Sequence, residues 1–139
     1  MMTENSSENI HVRFAQRYIE FCNDPTATAE GLREFYADDL VWREMPHQFA
    51  PAGRTCDLAG MQAAFTEGKK LMSEQHYSLD NVIANEDAAA LQIKWKMALA
   101  QSLGDLPAGT TLSGNLAIFF RVKDGKIIRQ TDNISYDPM

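Results

Sequence analysis

Residues Ala88 to Leu103 read AAALQIKWKMALAQSL. Counting by twos, Leu91, Ile93, Trp95, Met97 and Leu99 fall on one side, while Gln92, Lys94 and Lys96 fall on the other. That alternation is the mark of a strand with one buried and one wet face. Five apolar inward positions in a row predict a central strand. The same period governs everything after Ser73: HYSLDNVIAN (76–85), TLSGNLAIFFRV (111–122) and KIIRQTDNISY (126–136) are extended runs separated by NED, GDLPAG and KDG. Four strands joined by short turns form a meander.

Upstream the period is helical. Ile10, Phe14, Tyr18 and Phe21 recur on one stripe with Arg13, Arg17 and Glu20 between them, which predicts a first amphipathic helix from Asn9 and leaves residues 1–8 as a flexible tail before a single domain, 9–139. NDPT then offers a cap with Pro25 in the first turn, and Leu32, Phe35 and Tyr36 supply the stripe of a second helix. LVWREM reads as a short strand and PHQFAPAG as a loop. Thr55 or Asp57 can cap a third helix with the stripe Leu58, Met61, Ala64, Phe65, Leu71 and Met72. The order α, α, β, α and then four strands predicts an α+β domain, with helices packed on one face of an antiparallel sheet.

The totals narrow the function. A chain of 139 residues can bury a sizeable core without staples, and Cys22 and Cys56 form neither a CxxC nor a metal-ligand spacing. The polar start MMTENSSEN has no apolar run, and no stretch approaches the roughly 20 apolar residues of a membrane span. These features predict a soluble cytoplasmic protein. The net charge of -6, with scattered lysines and arginines, argues against a nucleic-acid or anionic-membrane surface and for a small neutral or apolar ligand. His11, His47 and His76 make no metal-binding pattern, and there is no phosphate loop and no nucleophile elbow. No cofactor is expected.

One charge sits in an unexpected place. From Ile128, the alternation runs through Gln130, Asp132, Ile134 and Tyr136, so a buried Ile128 face carries a carboxylate with it. VKDGKI permits two hairpin registers. A two-residue turn on Asp124 and Gly125 sets Asp132 opposite Ala117; a three-residue turn with a bulge at Gly125 sets it opposite Leu116. The second joins Leu116, Ile118 and Phe120 to the face of Ile128, Gln130, Asp132 and Ile134, and is preferred. It leaves Ala117, Phe119, Ile127 and Thr131 outside. In an apolar pocket Asp132 would lose hydration, its pKa would rise, and it could remove or return a carbon-bound proton. At a sheet rim it would instead pair with a lysine or arginine.

Glu44 shares a strand face with Trp42, setting a second carboxylate beside an aromatic wall, unless it pairs with Arg43 or a lysine at the surface. Tyr18 lies on the stripe of the first helix. Trp95 and Met97 read first as core and second as pocket lining. His47 follows Glu44 in the loop, where it is either solvated or a proton shuttle at a pocket mouth.

RYIEFCNDPT, FYADDLVWREMP, GRTCDLAGMQAAF and VKDGKIIRQTDNISYD fall in the order and spacing of the NTF2-like superfamily, and the chain resembles its SnoaL-like polyketide cyclase and ketosteroid isomerase branches from about Ile10 to Asp137. The resemblance implies a cone, a curved sheet wrapped around helices with an apolar pocket, and a homodimer formed through the outer sheet face. It implies that Tyr18 donates to a substrate oxyanion, that Glu44 stands near the isomerase base, with Met45 and Pro46 in place of an immediate proline, and that Asp132 is the acid/base aspartate of the cyclases. Ile118 stands where the isomerase keeps a protonated aspartate. No Arg-x-Asp of the limonene epoxide hydrolase type occurs in the central strands.

The expectation is a cofactor-independent isomerase or cyclase, with a lyase as a further option, acting on a small apolar carbonyl compound. Asp132, Tyr18 and Glu44 would do the chemistry inside walls of Trp42, Phe65, Trp95, Met97, Ile118, Gln130 and Ile134, with His47 at the mouth. The alternative, to which Ile118 in place of a donor adds weight, is a non-catalytic ligand-binding or dimerisation module of the same fold.

Overall fold

The computed structural model describes residues 6–139, with side chains from His11 onward. Residues 1–5 of the expected tail lie outside the described residues. The first helix, α1, spans Ser6–Asn23 and so begins within the remainder of that segment. Its inner face carries Phe14, Ala15, Tyr18 and Ile19, all buried, as the stripe requires. At its end, Asn23 is stitched to the backbone of Tyr77: Nδ2 donates to the carbonyl over 2.8 Å and Oδ1 accepts the amide over 2.7 Å. The residues just before it on the helix, Cys22 and, a turn further back, Tyr18, are thereby fixed in height against the sheet.

The second predicted helix is a single 3₁₀ segment, Ala29–Glu34. It runs close against α1, where a Cβ on Gly31 would lie 2.6 Å from the Phe21 ring. NDPT caps no helix: Asp24 Oδ1 accepts from the amide and hydroxyl of Thr26, closing a local turn. Tyr36 belongs to no helix either. It opens strand β1, Tyr36–Glu44, four residues before the predicted start. The predicted loop after Glu44 leads into a short strand β2, Arg54–Cys56, paired antiparallel to β1. Helix α2, Leu58–Leu71, is capped by Asp57, whose side chain accepts from the amide of Gly60 over 2.8 Å.

The four predicted strands are present as β3 (Met72–Ala84), β4 (Ala88–Leu99), β5 (Thr111–Lys123) and β6 (Lys126–Tyr136). They form the expected meander inside one six-stranded sheet, in the order β2-β1-β6-β5-β4-β3. One pairing departs from the antiparallel expectation: β1 lies beside β6 in parallel, with Trp42 against Gln130 and Glu44 against Asp132. In β4, Leu91, Ile93, Trp95, Met97 and Leu99 are buried while Gln92, Lys94 and Lys96 are exposed. Irregularities at Leu79/Asn81 in β3 and Arg121/Val122 opposite β6 bend the strands, and the sheet stays open at β2 and β3.

The last hairpin takes neither predicted register. Asp124 and Gly125 both have positive φ, 52° and 78°, making the tight two-residue turn that matches strand twist. The extra residue enters further on, between Ile127 and Arg129, so that Asp132 pairs with Ile118 rather than Leu116 or Ala117. Because the bulge falls at Ile128, it is Ile127 that turns inward, fully buried, and not the outward residue expected. Leu116, Ile118 and Phe120 still share a face with Ile134, Asp132 and Gln130.

The core lies between α1, the 3₁₀ segment and the concave sheet face. Phe35 is its hub, with ring centroids 5.6 Å from Phe14 and 5.7 Å from Tyr18, and Phe14 reaches Phe120 of β5 at 5.9 Å. Phe21 of α1 stacks on Phe65 of α2 at 5.7 Å. No helix among the described residues is long and apolar enough to cross a membrane.

Candidate functional site

Between α1, α2 and the concave face of the sheet lies a cavity of about 470 Å³. Tyr18, Glu44 and Asp132 all line it, as do Trp42, Phe65, Trp95, Met97, Gln130 and Ile134. Ile118 does not. Its side chain is only 1 % exposed and is spent in the core, whereas Leu112 and Leu116, further along the same face of β5, reach the cavity. A residue without free surface has none to offer a ligand, so Ile118 is packing.

Asp132 is a carboxylate held at the cavity wall. The parallel pairing of β1 with β6 places Trp42 beside Gln130 and Glu44 beside Asp132 on one inward face. Trp42 Nε1 donates to Asp132 Oδ2 over 3.1 Å, and Gln130 Nε2 donates to Oδ1 over 2.9 Å. The surface that Asp132 retains opens on the cavity. Burial pushes its carboxyl up from 3.8 to about 6; the Gln130 and Trp42 hydrogen bonds pull against burial, nearby Glu44 adds to it, and Arg54 opposes it. Two neutral donors orient the carboxylate, and among the described residues no cation pairs with it directly.

Glu44 has a different setting. Its Oε1 accepts from Arg54 Nε over 2.9 Å and lies 3.5 Å from His47 Nε2, with the Arg54 guanidinium 4.9 Å over the Trp42 ring. It is neither paired with Arg43 nor free in the pocket; it is a partnered carboxylate at the rim. His47 is no solvated loop residue, since its side chain is 9 % exposed. Its Nδ1 accepts the amide of Phe49 over 3.2 Å, so a neutral ring carries its proton on Nε2, toward Glu44. Phe49, Tyr136 and Trp95 continue this wall edge to face, at 5.1 Å and 5.9 Å between centroids.

Tyr18 is buried, its hydroxyl 2.9 Å from that of Tyr36, which in turn lies 2.7 Å from Gln130 Oε1. Burial raises both tyrosine hydroxyls well above their ordinary value, so both stay protonated. Gln130, expected as a ligand contact, is 2 % exposed and spans Tyr36 and Asp132.

Sequence reasoning missed Tyr36, Arg54, Tyr77, Cys22 and Tyr136 as cavity residues. No regular period leads to Tyr36, because β1 is irregular between Tyr36 and Val41 and Asp38 is exposed, and assignment to a helix hid it. Burial raises Cys22 to about 12, so its thiol is protonated. Among the described residues no group of three His, Cys, Asp or Glu side chains could hold a metal ion.

A curved open sheet closing over helices around an apolar cavity is the NTF2-like α+β cone. The model of the SnoaL-like domain family matches residues 15–130, and the chain belongs to that family. Among solved structures, IdmH, a proposed polyketide cyclase from Streptomyces antibioticus, is 19 % identical with a TM-score of 0.74, over 89 % of this chain and 91 % of that one. A SnoaL-like polyketide cyclase from Agrobacterium tumefaciens str. C58 is 15 % identical with a TM-score of 0.67, over 88 % of each chain. A hypothetical protein with a ketosteroid isomerase-like fold from Catenulispora acidiphila, solved with trimethylamine, is 11 % identical with a TM-score of 0.70, over 88 % of this chain and 85 % of that one. At these identities the likeness defines the fold. No curated protein matches the chain.

Proposed function

We propose that the protein is a cofactor-independent acid/base enzyme, of the isomerase or cyclase type, acting on a small apolar carbonyl compound. Asp132 is the base that takes a carbon-bound proton and returns it, Tyr18 attends the carbonyl oxygen, and Glu44 with Arg54 and His47 forms a polar rim. One observation carries this reading: a carboxylate faces an apolar cavity, is oriented by Trp42 and Gln130, and is held at about 6, where both of its states are accessible near neutrality.

The test is enolisation itself. In D₂O the protein should speed exchange of the α-hydrogens of a small apolar ketone such as 2-tetralone above the buffer rate, followed by proton NMR, and Asp132→Asn should lose that acceleration. Equal exchange by the variant, or none by the wild type, overturns the proposal. A non-catalytic ligand-binding reading draws on one observation, that Glu44 is already neutralised by Arg54. Binding of the ketone with no exchange would select it.

Two further expectations belong to the same reading. The outer sheet face exposes Phe119 (51 %) and Ile83 (68 %), which supports a homodimer formed there and is checked by light scattering of the eluted protein. The free thiols of Cys22 and Cys56 suit a reducing cytoplasm.

A further inference from the structure

Two side chains, Gln130 and Tyr36, link Asp132 to Tyr18, and counting the protons of the four groups fixes the direction of the hydrogen bonds between them. A carboxylate oxygen only accepts, so while Asp132 is ionised, Gln130 must turn its nitrogen toward Oδ1 (2.9 Å) and its oxygen toward Tyr36 (2.7 Å). An amide oxygen only accepts, so the single proton of Tyr36 goes to Gln130. The 2.9 Å contact between the two hydroxyls then takes the proton of Tyr18. In this state Tyr18 shows the cavity lone pairs and no proton.

Adding one proton to Asp132 reverses the order. Trp42 Nε1 is a permanent donor to Oδ2, and the added proton finds a buried partner when it sits on Oδ1 and faces Gln130. Two donors would then meet unless the amide turns over. With it turned, Asp132 Oδ1 donates to Gln130 Oε1, Gln130 Nε2 donates to the Tyr36 oxygen, Tyr36 donates to Tyr18, and the proton of Tyr18 is released from Tyr36 toward the cavity, where the neighbouring Cys22 thiol also stands in hydrogen-bond reach. Apart from the added proton, each stays on its own heavy atom. Among the described residues no buried side-chain nitrogen or oxygen lacks a partner, and both arrangements keep these groups paired.

We propose that Gln130 is a positioning residue that reverses this chain, so that Tyr18 is an acceptor toward the cavity while Asp132 is a carboxylate and a donor once Asp132 holds a proton. The inference deepens the proposed function and rests on its assignment of Asp132 as the acid/base. The proton taken from carbon becomes the signal that turns Tyr18 toward the oxygen where negative charge has appeared, so its hydrogen bond holds the enolate that follows proton transfer. The carboxylate form therefore suits a ligand hydroxyl, phenolic or enolic, at Tyr18, and the protonated form suits a carbonyl.

Other groups face Asp132 too. Glu44 of β1 and Arg54 of β2 are charged and mutually paired, with His47 beyond Glu44 and Lys69 of α2 on the far wall. Across the cavity stand Tyr18 and Cys22 of α1 and Tyr77 of β3, all pushed upward by burial, so none loses its proton while Asp132 titrates.

The experiment needs no ligand. Tyrosine Cζ, aspartate Cγ and the histidine ring carbons are labelled with ¹³C and followed from pH 4.5 to 8, so that His47 is read separately. Tyr18 Cζ should move with the midpoint of Asp132 Cγ. In Gln130→Met, Asp132 should still titrate while the response of Tyr18 is lost, and Tyr36→Phe, which cuts the chain one link further on, should do the same. A Tyr18 signal that stays flat through the wild-type titration of Asp132 overturns the proposal, as does one that follows Asp132 undiminished in either variant. Failure of ketone exchange would remove the enzyme assignment and leave this readout standing.

Discussion

Replacing Asp132 by asparagine should stabilise the protein, and by an amount that depends on pH. Burial raises the Asp132 carboxyl from 3.8 to about 6, so the folded state holds this proton more tightly than the unfolded chain does. The stability that this provides is complete below about pH 3.8 and is lost as pH rises through about 6. Each tenfold change in proton affinity is about 1.4 kcal/mol, so above pH 7 the ionised carboxylate costs about 3 kcal/mol relative to a neutral group in its place. An asparagine at this position never ionises, and its amide can keep one oxygen toward Trp42. The difference in unfolding free energy between Asp132→Asn and wild type, from urea titrations at matched pH, should therefore grow by roughly 2 kcal/mol between pH 4.5 and pH 8. Subtracting one protein from the other removes the contribution of every other titrating group. A difference that stays constant across that range would refute the claim that Asp132 is a desolvated carboxylate, and with it the basis for its role as a base.

Two other substitutions probe the site and its support. Trp42→Phe keeps the aromatic wall but removes the donor to Oδ2, so the Asp132 midpoint should move above about 6 in a ¹³C titration; an unchanged or lower midpoint would count against that hydrogen bond. Ile118→Ala should cost about 2–5 kcal/mol in urea unfolding while leaving 2-tetralone binding unchanged, because Ile118 is core; weakened binding with little loss of stability would return it to the cavity wall.

The strands were legible because one-sided burial writes a period of two into Leu91, Ile93, Trp95, Met97 and Leu99, and nothing else competes with it over that length. Asp132 was legible for the same reason, as the wrong residue type in the right phase. Its partner was not, since a bulge is one extra residue whose position depends on twist and packing rather than on local composition. Moving it from Gly125 to Ile128 changed the neighbour of Asp132 to Ile118 and exchanged Ile127 for Ile128 in the core, yet left Gln130 and Asp132 facing inward. Tyr36 was lost to a different ambiguity. Leu32, Phe35 and Tyr36 satisfy a helical stripe as well as they satisfy a 3₁₀ turn running into a strand. The network around Gln130 could not be read in advance, because it depends on β1 and β6, whose parallel adjacency joins residues about ninety positions apart.

That adjacency also bears on the order in which the molecule is built. The last strand of the sheet to be synthesised, β6, takes a place in its middle, between β1 on one side and β5 on the other. Until it emerges from the ribosome, the β1–β2 pair and the β3–β4–β5 meander share no strand boundary, and Trp42 and Tyr36 wait without the residues they hold. The cavity is thus completed only when β6 arrives: a chain cut just before that strand still carries the residues of its helices and of five strands, and has no site.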